Sequence, residues 1–207
     1  MWLIMKDKKN ENTGSLILEA AKSIFQAKGM DGARMQEIAN EAGINKAMLH
    51  YYYRSKQLLF EAVFKNAFSL LAPQLNSVLN DDSSIEEKVR NFSSNYITFM
   101  MKHPYLPNFI IQELNRNPGF ILKMKENRGF PNLEKFKKQV DIEVEKGLIK
   151  KTNAQQLFIN ILALNVFPFI AKPLIQGLLA VEDKEFQQIV EDRKTEVADF
   201  IINSIKI

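Results

Sequence analysis

Residues 34–59 read Arg-Met-Gln-Glu-Ile-Ala-Asn-Glu-Ala-Gly-Ile-Asn-Lys-Ala-Met-Leu-His-Tyr-Tyr-Tyr-Arg-Ser-Lys-Gln-Leu-Leu. Ile38, Ala39 and Ala42 fall on one face at helical spacing. Gly43 stands where a left-handed backbone is needed to end that helix. Ile44 then reads as buried, Asn45 can cap the next helix, and Leu49 continues the core. The small side chains of Ala39 and Ala42 let the two helices pack closely. Two short helices joined by a glycine turn form a helix-turn-helix, whose second helix lies in the major groove of DNA. A further helix starts near Lys56.

The rest of the chain is compatible with that reading. Its 207 residues suit one large or two small domains. Hydrophobic content is 46% and charged content 25%, ordinary for a folded protein. There is no cysteine, which excludes disulfides and thiolate metal sites and fits a reducing, cytoplasmic setting. No apolar run is long enough to span a bilayer, and Met1 to Met5 is too short for a signal-peptide core. Net charge is +4. Residues 1–60 hold nine Lys and Arg against six Asp and Glu, so most of the excess lies there. A basic N-terminal third is the footprint expected of phosphate binding, though a solvated basic face gives the same composition.

Helical patterns follow one another with no strand pattern between them. The first covers 13–28, with Leu16, Ile17, Ala20, Ala21, Ile24 and Phe25 on one side, and stops at Gly29. Helices two and three begin near Met35 and Asn45. Ser55 can cap a fourth helix to about Leu79, bent at Pro73. Ser83 or Ser84 can cap a fifth, to about Lys102. Short helices are expected over 109–115 and after Pro118, the latter ended by Gly129 and Pro131. The stretch 132–146 is charged and amphipathic. The stretch 153–170 is apolar on more than one face and is interrupted by Pro168 and Pro173. The last helix covers 183–205.

Residues 13–60 resemble the DNA-binding domain of TetR-family transcriptional repressors. The residues that carry this are Ala21 and Phe25, the turn Ile38-Ala39…Ala42-Gly43-Ile44, and the run Leu49-His50-Tyr51-Tyr52-Tyr53-Arg54-Ser55-Lys56. The resemblance implies an all-α chain of about nine helices. Residues 1–12 form a mobile polar arm, 13–60 the three-helix DNA-binding domain, and 61–207 a helical ligand-sensing and dimerisation domain. It places Lys56 on the DNA backbone, where an ammonium and free helix-start N–H groups favour phosphate. Tyr51 and Tyr52 fall where aromatic residues touch phosphates or thymine methyls, Tyr53 where one packs inside. Asn45, Lys46, Ala47 and Met48 open the recognition helix, where base edges are reached, and Gln36 stands where a base is read in some members.

Some positions depart from the family pattern. Arg34 replaces the usual Ser or Thr cap of helix two, at a cost of about 1 kcal/mol, and gains a phosphate contact. Met35 is apolar where a polar residue is common. Ala47 and Met48 replace Gly-Thr. His50 replaces a phosphate-binding tyrosine, and a histidine there makes binding pH-sensitive. These changes bear on which operator is read.

By the same resemblance the later helices enclose a cavity, and the last two long helices pair with their copies in a homodimer. Tyr96, Phe99, Met100, Phe109, Ile110, Phe120, Met124, Phe136 and Phe158 are candidates to line an apolar pocket. Each equally fits plain core. Leu157, Ile161 and Leu164, with Phe186, Val190, Val197, Phe200 and Ile201, form the apolar stripes expected at the dimer interface. The implied partners are a near-palindromic double-stranded operator, a second copy of the chain and an unknown small-molecule effector, with no membrane. No cofactor and no metal are expected. A ligand- or protein-binding module that has lost specific DNA binding is the alternative. An enzyme has no support, because there is no phosphate loop, metal-spaced cluster or nucleophile elbow.

Overall fold

A computed structural model describes the backbone of residues 2–125 and 130–207, and side chains throughout that set except 2–11, 123 and 124. Among the described residues there are eleven helices and no strand. The chain divides into two compact units, Met1–Ser69 and Leu70–Ile207.

The first unit contains α1 (Trp2–Gly32), α2 (Met35–Glu41), α3 (Lys46–Tyr52) and the start of α4 (Lys56–Asn80). Helix α1 is interrupted at Gly29, whose φ of 67° and ψ of 176° leave helical geometry. It takes in residues 2–12, set apart above as an arm, because no proline or glycine precedes Gly14 to stop it. Ile17, Ala21, Ile38, Ala39, Leu49 and Leu59 are fully buried. Phe25 meets Phe60 edge to face at 4.9 Å. Burying each large aliphatic side chain contributes roughly 1.5–3 kcal/mol. Ala42 and Ile44 are only half-buried.

The turn between α2 and α3 is closed by its own hydrogen bonds. Gly43, at φ 66°, donates to the Asn40 carbonyl at 3.1 Å, and Ile44 donates to that of Ala39 at 2.9 Å. That pair satisfies the last carbonyls of α2 and fixes the direction in which α3 leaves.

The second unit holds the rest of α4, then α5 (Ile85–Lys102), α6 (Leu106–Arg116), α7 (Gly119–Lys125), α8 (Glu134–Glu145), α9 (Ala154–Ile170), α10 (Lys172–Leu179) and α11 (Asp183–Ile205). Helix α5 is central and packs on α8, α9 and α11. It starts with a reciprocal cap between Ser84 and Glu87. Phe92 stacks on Tyr96 at 4.8 Å. Asn165, fully buried on α9, donates to Ser93 Oγ of α5 at 3.2 Å. Helix α8 fastens the α4–α5 connection. Lys135 donates to the Asn80 carbonyl at 2.6 Å, Gln139 donates to that of Ser83, and Glu143 accepts from the Ile85 N–H at 3.0 Å.

Pro73 sits inside α4, which runs on through it. One expectation about the prolines changes. Pro168 sits inside α9, and the break comes at Ala171, after which α10 turns away by 74°. Helix α10 had no counterpart in the sequence reading. Among the described residues no single helix is long and apolar enough to cross a membrane.

Candidate nucleic-acid interface

Helix α3 is short, and its faces are sharply divided. Leu49 is fully buried, while Lys46, Ala47, Met48, His50 and Tyr51 are exposed. Asn45 caps the helix, its side chain accepting from the Met48 N–H at 2.8 Å. This cap orders the first turn, where Lys46, Ala47 and Met48 project. Tyr51 is 79% exposed, a large aromatic with little of its ring covered. It meets Tyr52 edge to face at 5.6 Å. Tyr52 is half-buried beside Gly14 of α1, and Tyr53 is half-buried too, with burial pushing its hydroxyl pKa up.

Helix α2 adds a second exposed row. Arg34 occupies its N-cap position with no side-chain cap, as its chemistry requires. Glu37 offsets part of that loss. Its carboxylate accepts from Lys28 Nζ at 3.0 Å and from the Arg34 backbone N–H, contacts that hold its pKa below the usual carboxylate range. Gln36 is exposed and donates to Asn40 Oδ1 at 2.9 Å. Asn40 was not singled out from the sequence. The i, i+4 spacing of Gln36 and Asn40 was the signal that could have found it. The contact engages the Gln36 amide nitrogen and leaves its Oε1 as an acceptor.

Lys56 is placed differently from the other candidates. It is half-buried, and its ammonium donates to the carbonyls of Ala33 at 3.1 Å and Asp31 at 3.3 Å. In this conformation it ties the start of α4 to the loop ahead of α2. The exposed set therefore comprises Arg34, Gln36, Asn45, Lys46, Ala47, Met48, His50 and Tyr51, with Tyr52 partly covered.

The other two candidate sets lie in the second unit. Tyr96, Met100, Ile110, Phe120 and Phe136 are buried in the core, and Phe99, Phe109 and Phe158 are half-buried. The side chain of Met124 lies outside the described residues. Phe136 meets Phe158 at 6.1 Å and Phe99 meets His103 at 4.7 Å. A cavity of about 390 Å³ lies elsewhere in the second unit, beside Met101, Phe169 and Lys172. Of the residues expected at a dimer interface, Leu157, Ile161, Phe186, Val190, Val197 and Ile201 are buried within the chain itself. Packing of α9 and α11 on α5 consumes that stripe. Leu164 is half-buried and Phe200 is 66% exposed. The large apolar side chains that α9 does turn outward are Ile159 and Phe167. Among the described residues no group of three or more His, Cys, Asp or Glu is placed to hold a metal ion.

The family described as bacterial regulatory proteins, tetR family, matches residues 17–63, the stretch that builds the exposed faces of α2 and α3. Residues 17–63 therefore carry the TetR-family domain. Over 117 residues it is 25% identical to the HTH-type transcriptional repressor NicS of Pseudomonas putida, covering 56% of this chain and 55% of that protein. Over 77 residues it is 34% identical to the HTH-type transcriptional regulator RutR of Escherichia coli, covering 36% of each. The chain thus spans about half the length, or less, of these curated relatives. A crystal structure of a TetR-family transcription regulator from Marinobacter aquaeolei is 18% identical and superposes with a TM-score of 0.64, covering 97% of this chain and 98% of that one. At that identity the likeness shows a shared fold, one that extends beyond residues 17–63.

Proposed function

We propose that this chain is a TetR-family, sequence-specific DNA-binding transcriptional regulator. It acts as a homodimeric repressor in the cytoplasm and is released from a near-palindromic operator by a small-molecule effector. The observation that carries this reading is the outer face of α3. There a capped first turn presents Lys46, Ala47 and Met48, and Tyr51 is left 79% exposed. Lys46 bonds a phosphate or guanine, Ala47 and Met48 meet thymine methyls, and Gln36, oriented by Asn40, pairs with adenine. Tyr51, Tyr52, His50 and Arg34 hold the backbone, which sets register without reading sequence. Ile159, Phe167 and Phe200 are the large apolar side chains exposed on α9 and α11, and they join the two copies. The effector works by its differential affinity for the DNA-binding and released states.

The test is fluorescence anisotropy of a labelled random-sequence duplex at about 50 and 200 mM salt. Binding that weakens steeply with salt, and weakens further with Lys46→Ala, is expected. No binding at either salt, with the protein folded, favours a ligand- or protein-binding module in place of a regulator.

A further inference from the structure

The cavity in the second unit is walled by the end of α5, the start of α6, the end of α9, α10 and the start of α11. At about 390 Å³ it lies at the lower end of the ~300–1,000 Å³ of small-molecule sites. Most of the wall is apolar, with Met101, Pro104, Phe169, Pro173, Phe186 and Val190. Such a wall favours a hydrocarbon or ring body over water. Among the described residues that line it, Lys172 is the one charged side chain.

The Lys172 ammonium is held from two sides. It lies 5.5 Å from the centroid of the Phe186 ring, whose face attracts a cation. It also lies 2.7 Å from an Asp183 carboxylate oxygen. Asp183 is not part of the cavity wall, and its side chain is 74% exposed. An ion pair so open to solvent is weak. A carboxylate arriving from the cavity side can take the ammonium, while Asp183 keeps its hydrogen bond from Gln176 at 3.1 Å and its access to water. The ammonium then gains a partner shielded by the apolar wall, where a charge-assisted hydrogen bond is stronger.

We propose that this cavity binds a small organic acid, with its carboxylate on Lys172 and its apolar body against Phe169, Phe186 and Val190. The proposal rests on the reading of the chain as a ligand-responsive regulator, and the acid is its effector. Asp183 is a built-in competitor for the same ammonium. Lys172 and Asp183 are the first residues of α10 and α11, so an acid that takes Lys172 unfastens the start of one helix from the start of the other.

The test is calorimetric titration of the full chain with benzoate and octanoate, and with the neutral benzamide and octanamide. The acids bind, and the amides bind about tenfold or more weakly. Lys172→Met lowers acid affinity by about tenfold or more and leaves the amides unaffected. Asp183→Asn retains the ammonium, removes its competitor and tightens acid binding. Acids and amides binding alike, no effect of Asp183→Asn, or no binding of either acid overturns the proposal. Duplex binding by the same preparation separates the two readings. DNA binding without acid binding sinks this inference alone, and acid binding without DNA binding sinks the regulator and leaves the site.

Discussion

The Lys56 ammonium lies 3.1 Å from the carbonyl oxygen of Ala33, across the loop that leads into α2. The lysine assigned to a DNA phosphate thus has an internal role in the free protein. It donates to the Ala33 and Asp31 carbonyls and so ties the start of α4 to the loop from which α2 begins. Lys56→Met should lower stability by about 1 kcal/mol, less than a buried charged hydrogen bond because the site is half-open. It should also weaken binding to all duplexes alike and reduce the salt slope by about one. Chemical denaturation and anisotropy read the two effects separately.

The caps of α2 and α3 predict opposite outcomes. Asn45→Ala removes the bond to the Met48 N–H and should cost about 1 kcal/mol. Arg34→Ser supplies a cap that α2 lacks, opposite a Glu37 that already reaches back to the Arg34 backbone N–H. It should gain about 1 kcal/mol and lose affinity for DNA. Urea denaturation of both variants checks the signs.

Pro168 has no N–H to give to the Leu164 carbonyl four residues earlier, and Arg193 Nη2 of α11 donates to that oxygen at 2.7 Å. Arg193→Met should therefore destabilise the chain by about 1–3 kcal/mol. In a Pro168→Ala background the restored N–H fills the same carbonyl, and the cost of Arg193→Met should fall to about half or less. A double-mutant cycle measures the difference. Equal costs in both backgrounds would show that the arginine acts through packing alone.

Burial pushes the Asp81 carboxyl up, but hydrogen bonds from Lys88 and Ser83 outweigh it and hold its pKa below the ordinary value of about 3.9. A carboxyl depressed in the folded state adds stability above its unfolded pKa, and that stability is lost as pH falls through the folded value. The Tm should therefore drop as pH falls below about 4. Asp81→Asn should flatten that dependence and lower the Tm at pH 7, because Lys88, with no side-chain exposure, is left without its counter-ion. Thermal melts from pH 2 to 7 decide it.

Local chemistry was the part legible in the sequence. Gly43 is left-handed, Asn45 and Ser84 cap as their side chains suggest, and Ile38, Ala39 and Leu49 are buried. Each follows from a residue type acting within four positions of itself. What depended on distant neighbours was not legible. Helical spacing shows that Phe136 or Leu157 is inward, but not whether it meets a cavity, a second chain or another helix of its own. Pro168 signals a missing donor without saying that Arg193 replaces it. Lys56 is a lysine at a helix start, and only the folded loop shows the two carbonyls that claim it. The cavity was missed because its wall joins residues from five helices, including α10, which the prolines around it made look like a loop.

The central claim is that the exposed faces of α2 and α3 read a DNA sequence. The most direct test is selection of bound duplexes from a random pool by the purified chain, followed by sequencing, at two salt concentrations. The account predicts enrichment of a near-palindrome whose half-sites are centred about 10 base pairs apart or a multiple of that. Lys46→Ala and Gln36→Ala should relax it at separate positions. A folded, dimeric protein that enriches no sequence would contradict it.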